Sequence, residues 1–334
     1  MSDDVTIMIR DMAERVFADH CDRQVLAAAA VGQWPGALWD AVESTGLTLA
    51  LVSEEGGGAA LPIAAALSLV DLAAEYAAPI PLAETMIAAW LLDRAGLPVP
   101  AGPLTFASFD GSADTLVAAR VPWGRQAGIV ALVDGALLLL DPEIADVAPG
   151  ANVAGEPRDR VTIDDVAVSG VPSPITADDM RAIGAAIRTM QIAGGLKRAT
   201  DMALQYAQDR VQFGKSLSKF QAIQQNLAVL ATHTAVASMA ATMARAALAT
   251  GRLLPDVAIA KARAGEAAGA GAAIAHQVHG AIGFTLEHDL QFLTKRLWSW
   301  RDEFGNEAEW NLVYGQRIAR AGADALWPAI TAGA

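Results

Sequence analysis

A chain of 334 residues is longer than one compact core usually absorbs, so two or three packed units are expected. Its formal net charge of −13 argues against nucleic acid and against an anionic membrane surface, because long-range repulsion slows encounter with either. The single cysteine, Cys21, excludes an intramolecular disulfide and a cysteine-built metal site, and the acids of "MSDDVTIMIRDMAERV" do not suit a secretory leader, so a cytoplasmic protein is expected.

From Thr6 to Leu97 apolar residues recur three and four apart, punctuated by Gly46, Gly56 to Gly58 and Gly96, which predicts a small all-helical unit over residues 1–102. Between residues 103 and 172 the texture changes to short apolar runs. "GIVALVDGALLLL" places Asp134-Gly135 between two of them, a strong hairpin signal, and "RVTIDDVAV" reads as a further strand of a small β unit. Helices return over residues 173–334. Thr176 and Asp179 have capping-box spacing, and the helix they open runs to about Gln208. A second helix is expected from Ser218, a third with Pro255 near its start, and a fourth over Leu290 to Ala321. Short connections make these an antiparallel four-helix bundle. The predicted fold is therefore mainly α with a small β domain. Phe220 to Ala244 carries no charged side chain, yet Gln221, Gln224, Asn226, Thr232 and His233 interrupt it. A helix buried inside the bundle is expected, with no membrane span.

The glycine-rich stretches do not cradle phosphate: Gly56 to Gly58 lacks the following Lys and hydroxyl residue, and "GAGAAI" lies inside a helical pattern. They read as a turn and a close helix crossing. His276 and His279 lie one helical turn apart without a nearby carboxylate, a weak basis for a metal, and none is expected.

Two junctions carry more information. In "DRVQFGKSLSKFQAIQQ", Ser218 with Gln221 resembles a capping box, and Gly214 would end the preceding helix. That leaves Arg210, Gln212 and Phe213, whose charge, amide and ring form a plausible nucleotide cradle. In "HQVHGAIGFTLEHDL", Gly280 and Gly283 free the backbone beside Gln277 and His279, although an ordinary interhelix turn accounts for this stretch equally well.

Together the two junctions, with "ALWDAVESTGLTLALVSEEGGG" near the N-terminus, resemble the acyl-CoA dehydrogenase family over most of the chain. The resemblance implies the same helical, β and bundle order, and FAD as cofactor. It also implies that Arg210, Gln212 and Phe213 hold the pyrophosphate and adenine end with Gln221 nearby, while Gln277, Gly280 and Ala281 meet the dinucleotide of a neighbouring subunit. Family members abstract a proton beside a thioester carbonyl while a hydride leaves the β-carbon for the flavin. The family's usual base position falls on Phe304 and the minority position on Gly184, neither of which can accept a proton. The middle domain is short and lacks the family's flavin-ring motif, beginning instead "LTFASFDGSADTLVAARVPWGRQAG".

These departures are similar to the small, base-lacking subunit of the heteromeric α2β2 acyl-CoA dehydrogenases of bacterial steroid side-chain degradation. That resemblance implies a related partner subunit, an acyl-CoA substrate of steroid origin and an electron-transfer flavoprotein as acceptor. Two other readings stay open from the sequence: a self-sufficient homomer using Glu303 or Glu307 as base, and a flavin-free scaffold. Trp298, Trp300, Trp310 and Trp327 fit either core and interface packing or an acyl pocket wall.

Overall fold

The computed structural model describes residues 2–111, 115–164, 170–285 and 287–331. Helices α1 (Ser2–His20), α2 (Arg23–Ala30), α3 (Gly36–Ser44), α4 (Ile63–Ala66), α5 (Ser68–Glu75) and α6 (Leu82–Arg94) build the N-terminal unit. The helical spacing read from the sequence is the spacing that is buried, as with Ile9, Ala13 and Phe17 on α1. Helix α6 is buried on most sides from Leu82 to Leu92. The β unit covers one flank of it, where the Thr85 hydroxyl donates to Leu104 O and accepts from Leu104 N.

Strands β1 (Leu104–Ser108), β2 (Asp110–Gly111), β3 (Thr115–Pro122), β4 (Gly128–Val133), β5 (Ala136–Leu139), β6 (Ala145–Ala148), β7 (Arg158–Asp164) and β8 (Val171–Pro172) form two sheets. Their orders are β1-β4-β5-β8 and β2-β3-β7-β6. Strand β4 shows why its sequence is apolar without alternation: Ile129, Ala131 and Val133 face the other sheet, while Val130 and Leu132 join the helical core. Asp134 (φ 46°) and Gly135 (φ 80°) make the expected two-residue turn between β4 and β5. Of the strand expected in "RVTIDDVAV", the part from Asp165 lies outside the described residues.

The C-terminal half holds α7 (Ala177–Asp209), the short hairpin β9 (Val211–Gln212) and β10 (Lys215–Ser216), α8 (Gln221–Thr250), α9 (Leu253–His279), α10 (Leu290–Asp302), α11 (Glu307–Ala321) and α12 (Ala323–Thr331). Thr176 and Asp179 form the predicted capping box at the start of α7. The close crossing expected in "GAGAAI" is that of α9 on α7, where a Cβ at Gly271 would lie 2.4 Å from Leu196 Cδ1.

Four expectations fail in this half. Gly214 does not end a helix: α7 stops at Asp209, and Phe213 (φ 51°) with Gly214 (φ 77°) forms the turn of the β9-β10 hairpin. Ser218 does not cap α8, because Leu217 N bonds Arg210 O to close that hairpin. Ser218 then falls in a 3-10 turn, with Phe220 at the N-cap. The fourth helix is two helices. The chain leaves α10 at Glu303, Phe304 and Gly305 take φ of 56° and 100°, and Asn306 with Glu309 forms a capping box that starts α11.

The fourth failure concerns α8, which is not buried inside the bundle. It presents one face, including Leu230, Ala237, Ala241 and Ala244, to α7 and α9. Its other face is open, and only 28% of its most apolar 18-residue window is buried. By length and composition alone this helix could cross a membrane, but its packing against α7 and α9 makes it a bundle helix with an uncovered apolar side.

Candidate functional site

The break between α10 and α11 brings the two candidate base positions together. A Cβ built on Gly184 of α7 would lie 2.3 Å from Cδ1 of the Phe304 ring, so the ring occupies the space a side chain at residue 184 would need. The ring also stacks on Phe106 of β1 at 6.0 Å and lies under the Arg188 guanidinium at 5.4 Å. Phe304 holds a left-handed conformation that costs a non-glycine residue about 1–2 kcal/mol. Its carbonyl, bonded to Trp310 Nε1 at 3.1 Å, helps fix it there. Lys261 of α9 closes the break from below, donating from Nζ to Arg301 O at 2.6 Å and Gly305 O at 2.7 Å.

The neighbouring carboxylates are committed elsewhere. Glu303 accepts from Arg158 Nε (2.8 Å) and Asn152 (3.0 Å) on one oxygen, and from Arg158 Nη2 (2.9 Å) and Arg188 Nε (2.6 Å) on the other. Burial alone would raise its carboxyl, but Arg158 and Arg188 outweigh burial and hold it at about 2. A carboxylate so stabilised has little tendency to take a proton. Glu307, at the first turn of α11, is held below the ordinary range by its bonds from Arg301, and it faces α9 at Gly265.

Glu303 lies in the middle of a buried ionic array that composition and spacing did not disclose. Arg188 also meets Glu84 of α6 at 2.7 Å, Arg158 meets Glu156 at 3.0 Å, and Glu156 meets Arg296 of α10 at 2.9 Å. All six side chains are buried, with three cations against three anions. The array joins the N-terminal unit, the β unit and the bundle immediately behind Phe304.

The residues singled out at the two junctions lie elsewhere, at one end of the bundle. Because α8 runs back between them, α7 and α9 end on the same side, and Tyr206 of α7 stacks on His279 of α9 with ring centroids 4.7 Å apart. Arg210, Gln212, Phe213 and Gln221 are exposed beside the first junction, and Gln277, Gly280 and Ala281 beside the second. Phe213 is 92% exposed at the hairpin tip, held edge-on by Phe220 at 6.3 Å. Gly280 takes φ 66° and ψ −145° with open space where a Cβ would stand, so it is backbone conformation that demands glycine there. An open ring, a guanidinium and amides on a free surface fit the adenine and pyrophosphate end of a dinucleotide. Among the described residues, the place beside Phe304 offers no carboxylate free to act as a base.

Of the four tryptophans in the C-terminal region, Trp300 and Trp310 are core residues. Trp298 packs on His276 at 5.8 Å, and Trp327 is 70% exposed on α12. Sequence reasoning also missed Tyr206, His288 and Lys261. Asn306 with Glu309, three apart after a glycine, was the available signal for the helix break that positions Phe304.

Comparison with known proteins fits this geometry. Residues 3–98 match the acyl-CoA dehydrogenase N-terminal domain, and residues 182–301 match the acyl-CoA dehydrogenase C-terminal domain. The chain is 26% identical over 309 residues to the acyl-CoA dehydrogenase IpdE2 of Mycolicibacterium smegmatis, covering 86% of this chain and 91% of that one. Its fold superposes on a variant of the Tcur3481-Tcur3483 steroid acyl-CoA dehydrogenase with a TM-score of 0.86 at 20% identity, over 96% of this chain and 99% of that one. The ChsE4-ChsE5 complex from Mycobacterium tuberculosis gives 0.82 at 19% identity, over 97% and 99%. With both terminal units matched and the β unit between them in the same fold, this chain belongs to the acyl-CoA dehydrogenase family, FAD-dependent oxidoreductases acting on the CH–CH bond of acyl-CoA.

Proposed function

We propose that this chain is the base-lacking subunit of a two-chain acyl-CoA dehydrogenase. It presents Arg210, Gln212, Phe213 and Gln221 together with Gln277, Gly280 and Ala281 to the adenine and pyrophosphate end of FAD. A related subunit supplies the catalytic base and the loops around the flavin ring. The observation that carries this reading is Phe304 packed against Gly184: both family base positions are filled by one phenyl ring. The closeness of the two junctions, with Tyr206 and His279 stacked between them, supports one chain addressing a single dinucleotide with both.

The open face of α8 supports a partner of the same architecture, since a long helical surface without charge is matched by another such surface. A groove of about 450 Å³ between α8 and α9, lined by Val236, Met239, Met243 and Ile259, offers it a seat. The likeness to a steroid acyl-CoA dehydrogenase supports a steroid-derived acyl-CoA as substrate class, and membership of the family supports an electron-transfer flavoprotein as acceptor. Glu303, fixed by two arginines, and Glu307, fixed by Arg301, speak against a self-sufficient homomer.

The test is the visible spectrum and native mass of the purified chain, alone and co-expressed with a full-length acyl-CoA dehydrogenase encoded beside it. The reading expects colourless protein alone and a flavin-loaded α2β2 assembly with the partner. Arg210→Ala should lower flavin content without changing assembly mass. A yellow, active homomer would overturn it, and an assembly that stays colourless would leave a scaffold.

A further inference from the structure

Two segments far apart in sequence are fastened at the bundle end by side chains. Tyr206 precedes Arg210 by one helical turn, and the Arg210 amide donates to its carbonyl at 2.9 Å. His279 is the last residue of α9, and the Gly280 amide donates to His276 O. The Tyr206 and His279 rings stack with planes 25° apart, and His288 stands edge-on to both, at 4.7 Å from His279 and 6.4 Å from Tyr206. Displacing either stacked ring therefore displaces a junction.

The hydrogen bonds fix how these imidazoles carry their protons. His279 Nδ1 lies 2.8 Å from Ala275 O, and a carbonyl only accepts, so Nδ1 holds the hydrogen. Its Nε2 is then a bare acceptor, buried with no hydrogen-bond partner among the described residues. His288 Nδ1 accepts from Leu290 N at 3.2 Å, which places its hydrogen on Nε2. One turn back, His276 Nε2 bonds the Thr294 hydroxyl at 2.9 Å and the ring stacks on Phe284 at 4.1 Å. The charged groups nearby are Arg198, Asp201 and Asp209 of α7, which border a groove with Tyr206 and His288, and Asp289, which pairs with Arg23 of α2 at 3.4 Å. Among the described residues, none of these carboxylates is hydrogen-bonded to His279.

Resting on the dinucleotide reading above, we infer that Tyr206, His279 and His288 form a clasp that holds the two flavin junctions in register while the imidazoles are neutral and lets them part when acid charges His279, the positioning residue. Protonated His279 would point a second N–H at no acceptor, beside other imidazoles. Burial lowers the affinity of all three imidazoles for protons, and His288 and His276 lower that of His279 further. Since the folded values lie below the unfolded 6.5, the clasp's contribution is present above that pH and is lost as pH falls through the folded values.

Amide hydrogen exchange on the purified chain tests the clasp without flavin. Wild type and His279→Phe, which keeps the stack but cannot be charged, are compared at about pH 7.5 and 5.5 after correction for intrinsic exchange. Wild type should lose protection about tenfold at residues 207–214 and 277–285 together in acid, while His279→Phe should not. Equal protection at both pH values, or a variant that responds like wild type, overturns the clasp; His288→Phe serves as the second variant if the first does not fold. In the co-expressed assembly, acid should speed release of FAD fluorescence in wild type only. An assembly that never holds FAD sinks the dinucleotide reading but leaves the exchange result standing, whereas FAD release indifferent to acid sinks the clasp's hold on the cofactor.

Discussion

Phe304 and Lys261 show how single residues decide what this chain can do. Reading Phe304 against Gly184 was within reach of the sequence, because both positions follow from counting along recognised motifs. Their mutual contact was not, because it depends on a helix break held by Asn306, Glu309 and Lys261. Lys261 is wholly buried, and desolvation pushes its ammonium down to about 7 against the pull of Glu303 and Glu307. Between about 7 and 10.5 the unfolded chain binds a proton that the folded chain does not, so stability rises with pH across that window. Lys261→Met should remove this rise. It should also cost about 1–3 kcal/mol by leaving Arg301 O and Gly305 O without their donor. Urea midpoints of both proteins at pH 6.5 and 9 check both effects.

At the level of elements, local chemistry was legible and distant chemistry was not. Thr176-Asp179 and Asp134-Gly135 announced a helix start and a hairpin because every atom involved lies within a few residues. The ionic array draws Glu84, Glu156, Arg158, Arg188, Arg296 and Glu303 from α6, β7 and the loop before it, α7, α10 and the α10-α11 break, and no periodicity marks such a set. Buried pairs of this kind add little net stability over apolar packing but are costly to break singly. Arg158→Met should destabilise the chain by about 3–5 kcal/mol, since it takes one of two arginine partners from both Glu303 and Glu156 inside the core. Arg158→Met with Glu303→Leu should cost less than Arg158→Met alone, and equilibrium denaturation of the three proteins measures the difference. The two interhelix junctions were recognised from the resemblance of their motifs to those of the acyl-CoA dehydrogenase family. Their adjacency followed only once α7 and α9 were seen to end together at Tyr206 and His279.

For the whole molecule, order and class of the three units were readable, whereas exposure was not, because a charge-free run looks the same whether a core or a partner covers it. Helix α8 is the case in point, with Val229 and Met239 open to solvent. Met239→Lys should leave far-ultraviolet dichroism unchanged and prevent the proposed two-chain assembly, which native mass detects. The same uncovered face bears on how cells must handle this protein. In the proposed two-chain assembly, a copy made without its partner leaves the apolar side of α8 around Val229 and Met239 uncovered. On that proposal surplus copies are prone to clump or to be degraded, and the two chains need to be produced in matched numbers and to meet soon after synthesis.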